Sequence, residues 1–263
     1  MEKNLSVEQL SQFILQQANL QNDVITKASR FMACEKIAGD YLEFGVFRGN
    51  TFTNSFHAIR NNFMKRIQSA RNIGGSDVNS EVLQRETIWQ NMRFFAFDSF
   101  QGLPQLDNVD EQSSAFKPGM YANSQENFVA ALRANKVDLR KVQVVKGWFE
   151  ETCSEANIEK YGLSKAAIIW IDSDLYSSAK TVLNFIPPLL QDGTILVFDD
   201  WFANLGNPQL GEQRAFYEWV GQPAIKDNFI FTHYQKDKWK RNSFIVSRRT
   251  EVADQLGLPT VIY

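Results

Sequence analysis

Histidine and cysteine are scarce in this sequence, and their scarcity argues against several kinds of chemistry. The chain has two histidines, His57 and His233, and both lie far from the motifs described below. We therefore do not expect catalysis by a histidine base or by a Ser-His-Asp triad. The two cysteines, Cys34 and Cys153, lack the spacing of a metal site and argue against a disulfide framework. Such cysteine usage suits a reducing compartment.

Strong net charge and long apolar runs are also missing. A formal net charge of −2 gives no electrostatic basis for binding nucleic acid or an acidic membrane. No run reaches the roughly 20 apolar residues that a membrane helix needs, and the first residues lack the apolar core of a signal peptide. The longest basic cluster, residues 236–241, is interpreted as a solvated hairpin tip. We expect a soluble cytoplasmic protein that binds neither nucleic acid nor membrane.

The chain's 263 residues, 44% of them hydrophobic, suit one α/β domain with additions rather than two independent domains. Two helices are predicted ahead of the first strand, over Ser6–Leu20 and over about Asp23–Ala38, from apolar residues at helical spacing. We treat residues 1–39 as an N-terminal helical cap and residues 40–263 as the main domain. The cap is compatible with covering a sheet edge, with a lid or with a contact in a homo-oligomer.

The most informative stretch, residues 166–201, predicts a strand, a helix and a second strand. Two apolar runs rich in isoleucine and valine, Ala166–Ile171 and Thr194–Phe198, suit parallel strands that are covered on both faces. Between them, Ser177–Leu190 has apolar residues at helical spacing. A right-handed crossover then brings both strand ends to the same edge of one sheet, which is where open parallel sheets bind ligands.

Acidic residues follow both of these strands. Asp172 and Asp174 come after the first run, and Asp199 and Asp200 come after the second. The crossover should bring Asp172, Asp199 and Asp200 to one site. Carboxylates so close together repel one another unless a cation lies among them, and oxygen ligands suit a hard divalent ion. We therefore predict a Mg²⁺ site.

A second motif, Asp40–Gly49, starts with a short strand over Tyr41–Phe44. Gly45 then opens a loop that leads into a helix predicted over about Thr51–Ala70. The spacing Glu-x-Gly-x-x-x-Gly differs from that of dinucleotide sites, and a plain strand–turn–helix explains it equally well. In a ligand site, Glu43 would meet a cationic group and the helix N-terminus a carboxylate, which together suit an amino-acid end.

Two more strands are predicted, each with a candidate ligand residue at its end. Phe94–Phe97 ends in Asp98, and an acid at this place can hold ribose hydroxyls. Val142–Val145 is followed by Trp148, which could stack on a flat base. A turn aspartate and a core tryptophan explain these two residues about equally well. The polar stretch 99–122 is long enough to form a functional lid.

The remaining segments complete a single sheet. A loop over Asn72–Ser80 and an inserted helix over Glu81–Met92 lengthen the first crossover. Near the C-terminus, a helix over Glu212–Val220 precedes strands over Phe229–Tyr234 and Asn242–Ser247, joined by a tight turn. We predict an α/β fold with a mostly parallel sheet, helices on both faces and a C-terminal antiparallel hairpin.

Five stretches together resemble the macrocin O-methyltransferase (TylF-type) family of class I S-adenosylmethionine-dependent methyltransferases. They follow the family order over roughly residues 40–220, whereas the segment between Gly49 and Asp98 is longer than usual. The resemblance implies a Rossmann-like sheet and methyl transfer to a hydroxyl, typically of a sugar on a small glycosylated natural product. The five stretches are YLEFGVFRGNTF (41–52), FFAFDSFQGLP (94–104), KGWFEET (146–152), IDSDLYSSA (171–179) and ILVFDDW (195–201).

The resemblance also implies roles for single residues. Asp98 would hold the ribose of S-adenosylmethionine, and Asp174 falls where related sugar methyltransferases are thought to carry the base, with Asp172 beside it in the catalytic pair. Mg²⁺ would be held by Asp172, Asp199 and Asp200. The cofactor contacts implied as a whole are Glu43, Phe44, Gly45, Gly49, Thr51, Asp98, Ser99, Gly147, Trp148 and Asp172.

Two other functions compete with this one. Asp172-Ser173-Asp174 matches the Asp-x-Asp motif with which metal-dependent glycosyltransferases hold a nucleotide sugar, but this leaves Glu43–Gly49 and Asp98 without a role. In a non-catalytic cofactor-binding module, the acids would merely cap helices, as Asp174 could do. Capping does not explain why three acids should converge at neighbouring strand ends.

Overall fold

A computed structural model describes residues 23–73, 78–107, 109–113 and 116–263 of the chain. Its strands form one eight-stranded sheet. In chain order they are β1 (Asp40–Phe44), β2 (Phe94–Asp98), β3 (Val142–Lys146), β4 (Ala166–Ile171), β5 (Ile195–Phe198), β6 (Phe229–Asp237), β7 (Arg241–Arg248) and β8 (Val261–Ile262).

The helices lie on both faces of this sheet. In chain order they are α1 (Val24–Glu35), α2 (Asn50–Ile73), α3 (Val78–Asn91), α4 (Gln125–Ala134), α5 (Phe149–Thr152), α6 (Glu155–Tyr161), α7 (Tyr176–Phe185), α8 (Gly211–Val220), α9 (Pro223–Lys226) and α10 (Glu251–Gln255). Short 3₁₀ turns occur at Asp110–Gln112, Leu139–Lys141, Pro187–Leu189 and Asn204–Gly206.

The strand order is β3-β2-β1-β4-β5-β7-β6-β8. Strands β1 to β5 are parallel, β7 runs antiparallel to β5, and β6 pairs antiparallel with β7. This arrangement confirms the predicted α/β sheet with a C-terminal antiparallel hairpin. Strand β8, which pairs parallel with β6, was not anticipated because it is only two residues long.

The central strands β1, β4 and β5 are buried along their whole length, as their apolar runs predict. Alternate side chains point to opposite faces of the sheet. Leu42 and Ile169 pack with α7 and α8 on one face, whereas Tyr41 and Ile168 pack with α1 and α2 on the other. Full burial of such a side chain is worth about 1.5–3 kcal/mol, so the two cores hold the strand ends in place.

Helix α1 corresponds to the predicted helix over Asp23–Ala38, and Asp23 caps its first turn. The helix predicted over Ser6–Leu20 lies outside the described residues. The division into a cap and a main domain remains a prediction, as does a homo-oligomer.

The loop predicted over Asn72–Ser80 is wrong at both ends: α2 extends to Ile73, and α3 already begins at Val78. A hydrogen bond from Gln68 to Asn72, one helical turn apart, accompanies the extension of α2.

Two boundaries near the site also differ from expectation. Helix α7 ends at Phe185 rather than at Leu190 because Pro187 follows, and proline disfavours helical backbone at the residue before it. The hairpin strands are longer than predicted. β6 runs to Asp237 and β7 starts at Arg241, so the turn is confined to residues 238–240.

Candidate functional site

A cleft of about 860 Å³, part of it open to solvent, lies at the carboxyl ends of the parallel strands. Its walls come from the segments that follow β1, β2, β3, β4 and β5 and from the start of β7. Five of the predicted cofactor residues line it: Gly45, Asp98, Ser99, Trp148 and Asp172.

The other predicted cofactor residues lie behind or beside the cleft wall. Phe44 is fully buried and stacks on Phe97 in the core. Gly49 leads into α2 with a positive φ, and a Cβ there would meet the ring of Phe128 at 2.9 Å. Thr51 lies in the first turn of α2, and Gly147 forms the turn ahead of α5. None of these four residues is among those that line the cleft, and neither is Glu43.

Gly45 joins the ends of β1 and β4. Its φ is +89°, and a Cβ at this position would lie 1.9 Å from the carbonyl oxygen of Asp172. A glycine is therefore required here both by backbone conformation and by space. Hydrogen bonds from Asp172 N to Phe44 O and from Gly45 N to Phe97 O, both 2.9 Å long, complete the contact. The glycine loop and the first acidic segment are thus held against each other.

Glu43 lies at the end of β1 with a side chain that is 1% exposed. One of its carboxylate oxygens accepts a hydrogen bond from the hydroxyl of Tyr41, which in turn contacts Ser55. The other oxygen, Oε1, is buried and has no donor among the described residues. Burial raises the pKa of Glu43 well above its ordinary value. This carboxyl group is therefore short of a hydrogen-bond donor or a positive charge.

Asp98 fastens the glycine loop to β2. Its Oδ2 accepts hydrogen bonds from Val46 N at 2.8 Å and Phe47 N at 3.1 Å, while Oδ1 accepts one from Phe100 N at 2.7 Å. The sequence did not predict this role. A carboxylate can accept about four hydrogen bonds, so a group in the cleft could still bind Asp98.

The structure brings the acids after β4 and β5 together. Ile171 pairs with Phe198 at the ends of these strands, which places the following residues side by side. One carboxylate oxygen from each of Asp172, Asp174 and Asp200 lies within 4.8 Å of the others. We call these three residues the acidic cluster. Asp200 is 5% exposed, and its Oδ2 has no hydrogen-bond donor in the described part of the chain.

Like charge accumulates in the acidic cluster. Burial, followed by the charges of Asp199, Asp174 and Asp200, raises the pKa of Asp172 well above its ordinary value. Burial and then Asp200 raise the pKa of Asp174 in the same way. Both groups therefore release a proton less readily than an ordinary carboxyl group unless a cation compensates them. Oxygen atoms in this arrangement form a ligand set that suits a hard cation.

Asp199 differs from the acidic cluster because both of its carboxylate oxygens are paired with basic side chains. Arg241 Nε lies 2.5 Å from its Oδ1, and Lys240 Nζ lies 2.7 Å from its Oδ2. Burial alone would raise the pKa of Asp199, but Arg241 and Lys240 outweigh burial and lower it. Lys240 also reaches Asp200 Oδ1 at 2.6 Å. Both cations come from the start of β7 and the turn before it.

The interpretation of residues 236–241 as a solvated hairpin tip is therefore wrong for two members. The side chains of Lys240 and Arg241 are 25% and 9% exposed, and both turn toward the strand ends. The reason is the antiparallel register, in which Asn242 pairs with Phe198 and the residues before it face the end of β5. The sequence signal that could have predicted these contacts is the pair of basic residues at the start of a strand that lies beside β5.

Glu212 is a site residue that sequence reasoning missed. It lies in the first turn of α8 and is 1% exposed. Its Oε2 accepts a hydrogen bond from Asp200 N at 2.9 Å, and its Oε1 accepts a longer one from Ser173 N at 3.4 Å. Glu212 thus links the two segments that carry the acidic cluster. Acids are common in first helical turns, so position alone did not distinguish it.

Residues from the predicted lid, 99–122, contact both the cleft and α7. Tyr121 lines the cleft and packs edge-to-face on Phe47. Asp110 accepts hydrogen bonds from Tyr176 N at 2.7 Å and from Ser177 N at 3.2 Å, so it caps α7. The alternative in which Asp174 caps this helix is wrong, because Asp110 supplies the cap from a distant part of the chain.

This strand order, with a cleft and acids at the carboxyl ends of β1 to β5, defines a Rossmann-like fold of the class I methyltransferase type. The model of the macrocin-O-methyltransferase (TylF) family matches residues 71–216, more than half of the chain. The chain belongs to this family.

Curated relatives are O-methyltransferases. Mycinamicin III 3''-O-methyltransferase of Micromonospora griseorubida is 25% identical over 218 residues, which cover 79% of this chain and 70% of that protein. A tetracenomycin rhamnosyl 4'-O-methyltransferase of Streptomyces olivaceus is 27% identical over 152 residues, or 55% of each chain. For this second relative, the match spans about half of its length.

Solved structures show the same fold. The O-methyltransferase NovP superposes with a TM-score of 0.59 at 20% identity, covering 86% of this chain and 78% of NovP. The calicheamicin methyltransferase CalS11 gives a TM-score of 0.58 at 19% identity, covering 92% of this chain and 80% of CalS11. These similarities confirm the predicted Rossmann-like methyltransferase sheet.

The enzyme class follows from family membership. The family and the curated relatives are O-methyltransferases, so this chain is an S-adenosylmethionine-dependent O-methyltransferase. The glycosyltransferase and the non-catalytic module considered from the sequence therefore lose their support. Among the residues that the structure describes, no helix is both long and apolar enough to cross a bilayer.

Proposed function

We propose that this enzyme methylates a sugar hydroxyl of a small glycosylated metabolite, with S-adenosylmethionine as methyl donor and Mg²⁺ as a required ion. The observation that carries the proposal is the acidic cluster, whose three carboxylate oxygens lie within 4.8 Å of one another. Asp172 and Asp174 line the cleft, and Asp200 is buried next to them. The second relative, a 4'-O-methyltransferase of a rhamnosyl tetracenomycin, supports the acceptor class.

The residues present fit a divalent ion. Asp200 Oδ2 is buried without a donor in the described residues, and all three members of the acidic cluster offer oxygen. We assign Asp172 and Asp200 as ligands, since Mg²⁺ is commonly held by one or two carboxylates with water or substrate oxygens. Asp199, which the sequence nominated as a third ligand, is already neutralised by Arg241 and Lys240.

The residues also fit S-adenosylmethionine. The buried and unpartnered Oε1 of Glu43 suits the ammonium group of its methionine end, which would lie beside Gly45. Asp98 retains acceptor capacity for the ribose hydroxyls, and Trp148 lines the same cleft near the expected adenine. These contacts would hold S-adenosylmethionine in the cleft that Asp172 and Asp174 also line.

The chemistry follows from the poor nucleophilicity of an alcohol at neutral pH. A divalent ion bound at the acidic cluster would lower the pKa of an acceptor hydroxyl by several units. Asp174 would accept the hydroxyl proton as the oxygen takes the methyl group and S-adenosylhomocysteine leaves. Because the acceptor attacks the methyl group directly, the chain needs no covalent intermediate.

Asp98→Ala is expected to weaken binding of S-adenosylhomocysteine about tenfold or more, because the ribose loses a charged acceptor. Charge-assisted hydrogen bonds are worth about 1.5–3 kcal/mol. Calorimetry measures this loss, with the surface variant Asp138→Ala as a control for removal of a carboxylate.

Because Asp98 also fastens the glycine loop, the ribose contact needs a separate readout. Wild-type protein should bind 5′-methylthioadenosine more tightly than its 2′-deoxy analogue, whereas Asp98→Ala should bind the two nearly equally. If a folded Asp98→Ala protein keeps the full preference for the 2′-hydroxyl, Asp98 does not bind the ribose.

The acceptor class is tested by methylation of a panel of small glycosides with S-adenosylmethionine and Mg²⁺, followed by mass spectrometry. A vicinal diol can chelate the ion through two oxygens and so fix one of them for transfer. We therefore expect methylation of glycosides with a sugar diol and little methylation of matched deoxy-sugar analogues. Efficient methylation of simple catechols together with inert glycosides would reject a sugar acceptor while leaving the enzyme class intact.

A further inference from the structure

Lys240 is a cation that the sequence did not place in the cleft, and its position is fixed by the fold. Its backbone oxygen accepts a hydrogen bond from Phe202 N at 2.9 Å. The next residue, Arg241, binds Asp199 and lies over the ring of Trp170 at 4.9 Å. Lys240 and the residue that follows it are therefore both held against the segment after β5.

The ammonium group of Lys240 bridges two acids that follow β5. Nζ lies 2.7 Å from Asp199 Oδ2 and 2.6 Å from Asp200 Oδ1. With Arg241 on its other oxygen, Asp199 has both oxygens engaged by cations. Asp200 differs, because its Oδ2 is buried and lacks a donor among the described residues. Asp199 is thus fully neutralised, whereas Asp200, a member of the acidic cluster, retains one oxygen without a donor among the described residues.

We propose that Lys240 is a resident cation of the site that keeps Asp199 out of the divalent-ion ligand set and opposes ion binding at Asp200. This inference rests on the metal requirement proposed above. A fixed positive charge beside a ligand repels a divalent ion, and this repulsion decays only slowly with distance in the protein interior. The site should therefore bind the divalent ion more weakly, and exchange it more readily, than the number of acids would suggest. Lys240 is therefore a positioning residue rather than a catalytic one.

The test is the affinity of the whole protein for Mn²⁺, measured by calorimetry in the presence of S-adenosylhomocysteine and without any acceptor. Lys240→Met is expected to bind Mn²⁺ at least tenfold more tightly than wild type. Lys238→Met, which removes the same charge from an exposed position in the same turn, should stay within about twofold. Lys240→Arg restores the charge and should return the affinity close to the wild-type value.

A purely structural lysine gives a different pattern. In that case, Lys240→Met would lower the thermal midpoint equally with and without Mn²⁺, and its Mn²⁺ affinity would be unchanged or weaker, which would overturn the inference. If Lys240→Met does not fold, Lys240→Gln keeps the length and polarity of the side chain and carries the same expectation.

Measurements of Mn²⁺ binding distinguish a wrong role for Lys240 from a wrong metal site. Equal Mn²⁺ affinity of wild type and Lys240→Met would overturn the role of Lys240 and leave the metal site standing. Absence of Mn²⁺ binding in both proteins, with S-adenosylhomocysteine still bound, would reject the metal site and the role of Lys240 together.

Discussion

Asp174→Asn is expected to lower turnover by about 10²–10⁴ at saturating Mg²⁺ and S-adenosylmethionine, the usual effect of losing a general base. Asparagine keeps the size of the side chain but cannot accept the hydroxyl proton. Folding should change little, since Asp110 and not Asp174 caps α7. Steady-state kinetics with a methylated glycoside identified in the panel measures the loss, and calorimetry checks that S-adenosylhomocysteine still binds.

The pH dependence gives a second readout for Asp174. Burial and the neighbouring Asp200 raise its pKa, so the group holds its proton at acid pH and can act as a base only above that pKa. Wild-type turnover should therefore fall as the pH is lowered through the pKa of Asp174 in the Mg²⁺-bound enzyme. Asp174→Asn should lack this acid limb.

Asp110→Ala is the matched control for Asp174→Asn. Loss of a helix cap costs about 0.5–2 kcal/mol, so this variant should lower the thermal midpoint while retaining most of its turnover. If Asp174 is a metal ligand instead of the base, Asp174→Asn would recover near-normal turnover at high Mg²⁺. That recovery would contradict the assignment of the base.

Methyl transfer is expected to stop in excess EDTA and to return with Mg²⁺ or Mn²⁺. Asp172 and Asp174 both have raised pKa values because burial and like charges favour their protonated forms. Without a divalent ion, a proton shared within the acidic cluster would hinder Asp174 from accepting another. Turnover assays in buffers treated with chelator measure the effect.

Binding of S-adenosylhomocysteine should persist in EDTA, because the contacts proposed for it at Glu43, Asp98 and Trp148 do not include the proposed metal ligands Asp172 and Asp200. Asp200→Asn should raise the Mg²⁺ concentration needed for half-maximal turnover without a comparable effect on that binding. Full activity in excess chelator would refute the metal requirement. Lys240, which contacts Asp200, would then be the positive charge next to the acidic cluster.

The strand ends were predictable because their signals are local. Continuous isoleucine and valine runs mark β4 and β5, and the right-handed crossover rule then brings Asp172 and Asp199 to one edge. The register of Ile171 opposite Phe198 bears this out. Gly45 was identified for the same reason, since a glycine directly after a short strand is visible in the sequence.

The partners of these acids were not predictable because they come from distant segments. Lys240 and Arg241 reach Asp199 only through the antiparallel pairing of β7 with β5. Asp110 caps α7 from the lid segment, and Glu212 links two loops from the start of α8. Composition and periodicity do not encode such contacts, so the sequence predicted the acids but not their neutralising groups.

The most direct measurement is anomalous X-ray scattering from crystals grown with Mn²⁺ and S-adenosylhomocysteine. We expect a manganese peak at coordination distance from Asp172 and Asp200, on the side of the cleft that faces the cofactor sulfur. Asp199 should remain paired with Arg241 and Lys240. A fully occupied cofactor site with no manganese at the acidic cluster, or manganese bound to Asp199 after release of Arg241, would contradict this expectation.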